Sequence, residues 1–229
     1  LSGALMAFKL GKLLGKGGSR SPEKLPGDLR KAVEAWRSSM APELDEWHYH
    51  VRYVVVDIAT SGPSAEDGTL LGISAVGVRE GAVMPADAFT FDLAADADAD
   101  AVDRQLMAFL AYSAKAPLVT YHSPFVNSFL KPALQNRLGV NFQPSWVDLG
   151  WMLPSLYSDR SVGLLPMDDW LERLGILGQG GGRRDPMTNA LMLARLFQMV
   201  LVRAINKEIL TAERLVEESQ ATVFLRRNH

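Results

Sequence analysis

A single aspartate follows an apolar run in the first third of the chain. Asp57 comes directly after Val54-Val55-Val56, and small and hydroxyl residues follow it as far as Gly62. A short β-branched run that ends in a Ser-Gly-Pro turn predicts a central strand buried on both faces. Ligands bind at strand ends in open α/β sheets, and a carboxylate there needs a metal ion, a phosphate-bound metal or a donor network as its partner. Asp57 is therefore the first candidate for chemistry.

A second candidate site lies at the start of a long predicted helix. The glycine-rich stretch Gly178–Gly182 precedes Arg183 and Arg184, and Asp185-Pro186 then opens a helix that we expect to end near residue 205. Asp is favoured as a helix N-cap and Pro in the first turn, so capping is the expected role of Asp185. Two arginines at a helix N-terminus could also cradle a phosphate or another anion. An anion site and an ordinary loop both stay open here.

The elements that must position these residues follow an α/β order. Three strands joined by short turns predict an antiparallel meander, with Glu80-Gly81 as the tight turn between the second and third strands. Two further short strands alternate with helices. The predicted strands are 52–58, 70–79, 82–93, 117–122 and 145–148, and the predicted helices are 26–40, 101–114, 124–138, 149–157, 166–174, 186–205 and 207–219. The order β-β-β-α-β-α, followed by helices, predicts a mixed sheet with helices on both faces.

The two ends of the chain are predicted to be helical extensions. Residues 1–22 are basic and end in a glycine- and serine-rich joint, which predicts a short amphipathic helix followed by a flexible linker. This helix could pack on the domain or a partner, or contact a membrane surface or nucleic acid. The aromatic cluster Trp47–His50 is expected to pack on an edge strand. We predict an N-terminal extension over 1–49, the main domain over 50–205, and a C-terminal helix and tail over 206–229.

Composition excludes several classes of protein. The chain has 229 residues, a formal net charge of −2 and a sequence pI near 6.1, so it has no overall basic field and any nucleic-acid contact must be local. It contains no cysteine, which excludes disulfides and thiolate metal sites and fits a cytoplasmic location. No apolar run approaches the roughly 20 residues of a membrane span, so no span is expected.

The segment around Asp57 resembles the first motif of the DnaQ-like (DEDDh) 3′→5′ exonucleases. This family, of the DNA polymerase III epsilon-subunit type, belongs to the ribonuclease-H-like superfamily, and its first strand ends in D-x-E-T-T-G. The segment here reads Asp57-Ile58-Ala59-Thr60-Ser61-Gly62, so Ala59 stands where the second acid belongs. The resemblance covers about residues 50–205. It implies a three-layer ribonuclease-H-like α/β fold, with Asp57 and Thr60 at its cleft.

The second motif of the family, H-N-x-x-F-D-x-x-F-L, is similar to the segment His122–Leu130. Counting from His122 places Asn127 at the position of the acid, whereas counting back from Phe129-Leu130 places Val126 there. Neither register supplies a carboxylate. Asp148 lies in a segment that resembles an accessory motif of the family. The resemblance thus makes His122 and Asp148 further candidates for the cleft.

The third motif, H-x-A-x-x-D-A, is similar to the segment Arg184–Ala190. Arg184 replaces the histidine that acts as general base, and Asn189 replaces the last acid. Arginine stays protonated at any accessible pH, and loss of a general base alone lowers a rate about 10²–10⁴-fold. Of the four acids and one base that the resemblance implies, only Asp57 remains, and one carboxylate is a weak metal ligand at best.

The resemblance therefore implies a degenerate nuclease domain that is catalytically inactive and acts by binding. The expected partners are a nucleotide, single-stranded nucleic acid or a protein, the last through the basic N-terminal helix, and no cofactor is expected. Two alternatives remain: a regulatory or scaffold module, and an active exonuclease with Mg²⁺ or Mn²⁺ held by Asp57, Asp148 and Asp185. The candidates for lining the cleft are Thr60, His122, Asp148, Arg183, Arg184 and Asp185.

Overall fold

The computed structural model describes residues 25–93, 98–157, 164–177 and 184–227, with side chains as far as residue 220. The strands in these ranges are β1 (Tyr53–Thr60), β2 (Leu70–Arg79), β3 (Ala82–Asp92), β4 (Leu118–Thr120) and β5 (Trp146–Asp148). The helices are α1 (Gly27–Ser38), α2 (Ala99–Ser113), α3 (Ser123–Leu138), α4 (Leu149–Leu156), α5 (Met167–Arg173), α6 (Pro186–Ile205) and α7 (Ala212–Arg227). The predicted N-terminal helix, the glycine-rich stretch and Arg183 lie outside the described residues.

The five strands form one mixed sheet in the order β3-β2-β1-β4-β5. β1, β2 and β3 form an antiparallel meander, whereas β4 runs parallel to β1 and β5 runs parallel to β4. Glu80 and Gly81 join β2 to β3 with φ values of 51° and 71°, the left-handed backbone that a two-residue hairpin turn requires. The predicted meander and its turn are confirmed, and β2 has the bounds expected from the sequence.

The sheet separates two apolar cores, because successive side chains of a strand point to opposite faces. Val54 and Val56 of β1 belong to the core beneath α1, α2 and α3, while Tyr53 and Val55 belong to the core beneath α4, α5, α6 and α7. All four side chains are fully buried, as predicted for a central strand. The chain is therefore a three-layer α/β domain, and the predicted mixed sheet with helices on both faces is confirmed.

Helix α6 is the main helix of the core beneath α4, α5, α6 and α7, called the second core below. Ala190, Leu193, Phe197 and Val200 are fully buried in that core, and α6 contacts β1 and β2. By length and composition α6 could also cross a membrane, and it is the one helix in the described ranges of which this is true. The same features are expected of a helix that packs on a sheet, which is the position of α6 in this fold.

The C-terminal helix differs from its prediction. The sequence predicts a helix over 207–219, but α7 begins at Ala212 and continues to Arg227. Glu208 adopts a left-handed backbone with φ of 61°, and Ile209 is buried, so the chain turns between α6 and α7. Of the predicted tail, residues 225–227 belong to α7, and residues 228 and 229 lie outside the described residues.

The Trp47–His50 cluster packs only partly on an edge strand, which corrects part of a second expectation. Tyr49 lies against Gly81, in the turn that leads into the edge strand β3. Trp47 forms an isolated antiparallel bridge with Thr211, and His48 is buried and hydrogen bonded to the carbonyl of Ile209, so these two residues pack on the connection between α6 and α7. These partners lie more than 150 positions away in the sequence, out of reach of any local pattern.

Strand β5 is the outermost strand on its side of the sheet and is covered by α7. The backbone N–H of Asp148 donates to the hydroxyl of Ser219 over 2.8 Å, and Ser219 is itself buried. A side chain of α7 thus accepts a hydrogen bond that a further strand would otherwise accept.

Candidate functional site

Asp57 lies where β1 continues past its parallel neighbour. β1 pairs with β4 only at Val54 and Val55, whereas its pairing with β2 continues through Asp57 as far as Thr60. Since side chains alternate along a strand, Asp57 projects to the same face as Val55, which is the α6 face. The predicted carboxylate at the carboxyl end of the parallel strands is thus present, three residues before the tip of β1.

The carboxyl group of Asp57 is largely withdrawn from solvent. Burial raises its pKa to about 6, although the hydrogen bond from Asn189, a backbone hydrogen bond at Ile58 and the charge of Arg184 all act in the opposite direction. A buried carboxyl is harder to ionise because its surroundings solvate the negative charge less well than water does. The charge of Asp57 is therefore only partly compensated by the protein.

A chain of hydrogen bonds connects Asp57 to the start of α6 and to α5. Asn189 Nδ2 donates to Asp57 Oδ2 over 3.2 Å, and Arg184 Nε donates to Asn189 Oδ1 over 2.9 Å. Arg184 Nη2 in turn donates to Asp168 Oδ1 in an ion pair. Because a guanidinium only donates and an ionised carboxylate only accepts, these partners orient the amide of Asn189. Its nitrogen faces Asp57 and its oxygen faces Arg184.

The two remaining positions where the family has acids carry apolar or neutral residues. Ala59 follows Asp57 on the same face of β1. On α3, Val126 is buried in the core beneath α1, α2 and α3, while the Oδ1 atom of Asn127 is buried and has no hydrogen-bond partner in the part of the chain that the structure describes. Val126 therefore serves packing, which leaves Asn127 as the polar residue of this helical turn.

Asp148 is a buried structural carboxylate. Its Oδ1 atom accepts hydrogen bonds from the backbone N–H groups of His122 over 3.0 Å and Gly150 over 2.9 Å. Its Oδ2 atom accepts from the backbone N–H and the hydroxyl of Ser123 over 2.6 and 2.9 Å. Four donors occupy the four lone-pair sites of the group. Asp148 thus caps α4 and ties it to the start of α3, and it has no free site for a cation.

His122 and Thr60 both shape turns. His122 has a left-handed backbone with φ of 61° at the start of α3, and its ring packs edge-on against Tyr121. A Cβ atom on Gly150 would lie 3.0 Å from this imidazole, which explains the glycine at that position. The hydroxyl of Thr60 donates to the carbonyl of Gly62 over 3.0 Å and closes the turn after β1. Each of these cleft candidates therefore has a structural role.

Asp185 is the N-cap of α6, as the Asp-Pro pair predicts. Its carboxylate accepts from the backbone N–H of Thr188 over 3.0 Å and from the hydroxyl of the same residue. These hydrogen bonds hold the pKa of Asp185 below its usual range. Pro186 occupies the first turn, where its missing N–H removes no helical hydrogen bond.

The described residues do not fit a two-metal site. Such a site needs several carboxylates around a pair of cations about 4 Å apart. In the part of the chain that the structure describes, no three histidine or acidic side chains converge where they could hold an ion. Next to Asp57 lie the amide nitrogen of Asn189 and, behind it, the guanidinium of Arg184. A hydrogen-bond donor and a positive charge both disfavour a divalent cation at this place.

Two partners of these residues could not be found from local motifs. Asp168, which holds Arg184, lies 16 positions before it in a separate helix. Ser219, which accepts from Asp148, lies 71 positions after it. The one signal for Asp168 is its place among acidic residues in the first turn of α5, and such residues indicate only a helix start.

The sequence matches no protein-family model and no curated protein. Solved structures with a similar arrangement of elements include Exonuclease X and NrnC. Exonuclease X in complex with 5′ overhanging duplex DNA is 13% identical, with a TM-score of 0.45 over 73% of this chain and 99% of that chain. NrnC of Brucella melitensis bound to pGG is 15% identical, with a TM-score of 0.48 over 78% of this chain and 83% of that chain. NrnC with bound Mg²⁺ is 14% identical over the same shares, with a TM-score of 0.42. The function of this chain is therefore inferred from its own side chains.

Proposed function

We propose that the chain is a degenerate DnaQ-like domain that does not hydrolyse nucleic acid and instead binds a nucleotide or single-stranded nucleic acid. The observation that carries this proposal is the hydrogen-bond chain from Asp57 through Asn189 to Arg184. It places a protein donor, the amide nitrogen of Asn189, against the remaining acid and a guanidinium behind that amide. Mg²⁺ prefers oxygen ligands, so an ion at this position would have to displace both side chains.

The groups next to Asp57 also lack a proton acceptor of the kind that the family uses. The amide of Asn189 cannot take a proton from water at neutral pH, and Arg184 does not lose its own. Loss of a general base lowers a hydrolysis rate about 10²–10⁴-fold, and loss of the metal ligands lowers it further. The chemistry of these residues therefore supports recognition of a phosphate compound rather than its cleavage.

Arg184 supplies the charge for an anionic ligand. Its Nε and Nη2 atoms have partners, but Nη1 is buried and has no hydrogen-bond partner among the described residues. A buried donor without an acceptor is unfavourable by roughly 1–3 kcal/mol. A phosphate oxygen would supply an acceptor of opposite charge. The replacement of three acids by Ala59, Asn127 and Asn189 also lowers the repulsion that a phosphate would meet.

A binding experiment with two arginine variants tests the recognition half of the proposal. The full chain is titrated into fluorescent single-stranded DNA and RNA in EDTA, and a nucleoside monophosphate is used as competitor. Arg184→Gln should weaken binding about tenfold, which corresponds to about 1.4 kcal/mol. Arg195→Gln removes the same charge from an exposed position on the same helix and should have a much smaller effect. Equal effects of both variants, or no binding in EDTA, would contradict the proposal.

A hydrolysis experiment tests the other half. The chain is incubated with a 3′-labelled single strand and Mg²⁺ or Mn²⁺, and release of mononucleotides is followed. We expect none from the natural sequence. Release is expected only after Ala59→Glu, Asn127→Asp, Arg184→His and Asn189→Asp are combined, because they restore the acids and the base that the family uses.

One observation favours a second candidate, a metal-dependent exonuclease with an unusual ligand set. The pKa of about 6 shows that the charge of Asp57 is poorly compensated by the protein, and a bound cation would complete that compensation. Mononucleotide release by the natural sequence that Asp57→Ala abolishes would establish this candidate. The capping roles of Asp148 and Asp185 weigh against it, because neither carboxylate is free to join Asp57.

A further inference from the structure

Asp168 is the one acidic side chain paired with Arg184 in the described part of the chain. It lies in the first turn of α5, and its side chain is 46% exposed, whereas that of Arg184 is 13% exposed. An exposed carboxylate thus reaches inward to a nearly buried guanidinium. The pair joins α5 to the start of α6 at the point where Arg184 meets Asn189.

The geometry of the guanidinium explains why this pair matters for the site. Nη2 donates to Asp168 and Nε donates to Asn189, so the rigid fork is held at two points by two elements. The bond to the ionised carboxylate is the stronger of the two, because charge-assisted hydrogen bonds are roughly twice as strong as neutral ones. Without it, one hydrogen bond to a neutral amide would have to order a long side chain that loses much rotamer entropy.

We propose that Asp168 is a positioning residue that holds Arg184 as a built-in cation behind Asn189, so that the amide nitrogen of Asn189 stays turned towards Asp57. This role rests on the proposed function, because it fixes a protein cation at the position where the family has its general base. Asp168 contacts neither Asp57 nor a ligand in this arrangement and acts only through Arg184.

Nuclear magnetic resonance of the full chain can test the role directly. A guanidinium held at Nε gives a separate Nε–H signal that exchanges slowly, and the amide protons of Asn189 report its orientation. These signals are compared in the natural sequence, in Asp168→Asn and in Asp169→Asn. Asp169 is the matched control, because it carries the same charge on the next residue of α5 but is exposed. Asp168→Ser serves as a second variant should the Asn variant fold poorly.

Asp168→Asn should abolish the separate Arg184 Nε–H signal and shift the Asn189 amide protons, and Asp169→Asn should leave both in place. Asp168→Glu, which keeps the carboxylate, should restore the Arg184 signal. Loss of thermal stability in Asp168→Asn with both signals unchanged would identify a purely structural residue and overturn the proposal. Hydrolysis by the natural sequence would defeat the proposed function without altering these spectra, so the two failures are distinguishable.

Discussion

The side-chain amide of Asn189, on α6, donates to the Oδ2 atom of Asp57, on β1, over 3.2 Å. The two residues lie 132 positions apart, and the contact joins the central strand to the main helix of the second core. Among the described residues it is the one side-chain hydrogen bond that compensates the charge of Asp57, and it is weaker than the effect of burial. The site therefore keeps a charge that lowers the stability of the fold.

Replacing Asp57 by asparagine should stabilise the protein. The shift of the Asp57 pKa from 3.8 to about 6 corresponds to about 3 kcal/mol, so Asp57→Asn should raise the free energy of unfolding by about 1–3 kcal/mol at pH 8 in EDTA. Urea unfolding measures this value. Asp92→Asn, an exposed change on the same sheet, is the control and should have little effect. Destabilisation by Asp57→Asn would contradict the idea that the charge is poorly compensated.

The Asp57 carboxyl should also make the free energy of unfolding depend on pH, in a direction that its pKa fixes. The pKa of Asp57 is higher in the folded state than in the unfolded state, so its contribution to stability is complete below about pH 4 and is lost as the pH rises through about 6. The free energy of unfolding of the natural sequence, relative to that of Asp57→Asn, should therefore decrease by up to about 1.4 kcal/mol per pH unit in this window. Above the window this relative value should be constant. Denaturant titrations at several pH values measure the difference, and a constant difference throughout would refute the prediction.

Replacing Asp148 should unfold the region around the starts of α3 and α4. In the natural sequence the donors around Asp148 face a carboxylate oxygen, whereas Asp148→Asn places an amide nitrogen against some of them. The variant should therefore lower the free energy of unfolding by about 2–4 kcal/mol. Asp185→Asn is the matched control, because asparagine is an equally good N-cap at an exposed position. Thermal denaturation without metal ions measures both. If Asp148 were a metal ligand instead, its replacement would have little effect under these conditions.

His48 predicts a loss of stability in acid. It is buried between the hydroxyl of Tyr53 and the carbonyl of Ile209, and burial lowers its pKa below 6.5. A lowered pKa of the folded state means that the contribution is present above 6.5 and is lost as the pH falls below it. The free energy of unfolding should therefore decrease less between about pH 7.5 and about pH 5.5 in His48→Gln than in the natural sequence. His50→Gln, at an exposed histidine nearby, is the control.

The sequence predicts best where a local pattern has one structural solution. The β2 strand ends at Arg79 because Glu80-Gly81 adopts the two left-handed conformations of a hairpin turn. Helix α6 begins after Asp185 because Asp and Pro favour a helix start. The last helix is misplaced for the opposite reason. Its predicted first turn is broken at Glu208 and Ile209, where the carbonyl of Ile209 accepts from the distant His48.

At the site, sequence motifs identify the residues but not the contacts between them. Asp57, Arg184 and Asn189 stand out from their segments, yet the orientation of the Asn189 amide depends on which partners its two ends meet. Asp168 carries no motif, and its role depends on how α5 packs beside α6. The same holds for Asp148, which resembles an accessory acid in sequence. Its carboxylate acquires its full set of hydrogen bonds only because the left-handed backbone at His122 directs the N–H groups of His122 and Ser123 towards it.

The cover that α7 provides over β5 affects whether molecules of this protein associate with one another in solution. A strand at a sheet margin with exposed N–H and C=O groups is a template for pairing with another molecule. Here Ser219 accepts from the N–H of Asp148 at that margin. A version shortened after α6 would lose this cover, and we expect it to associate with other copies through β5.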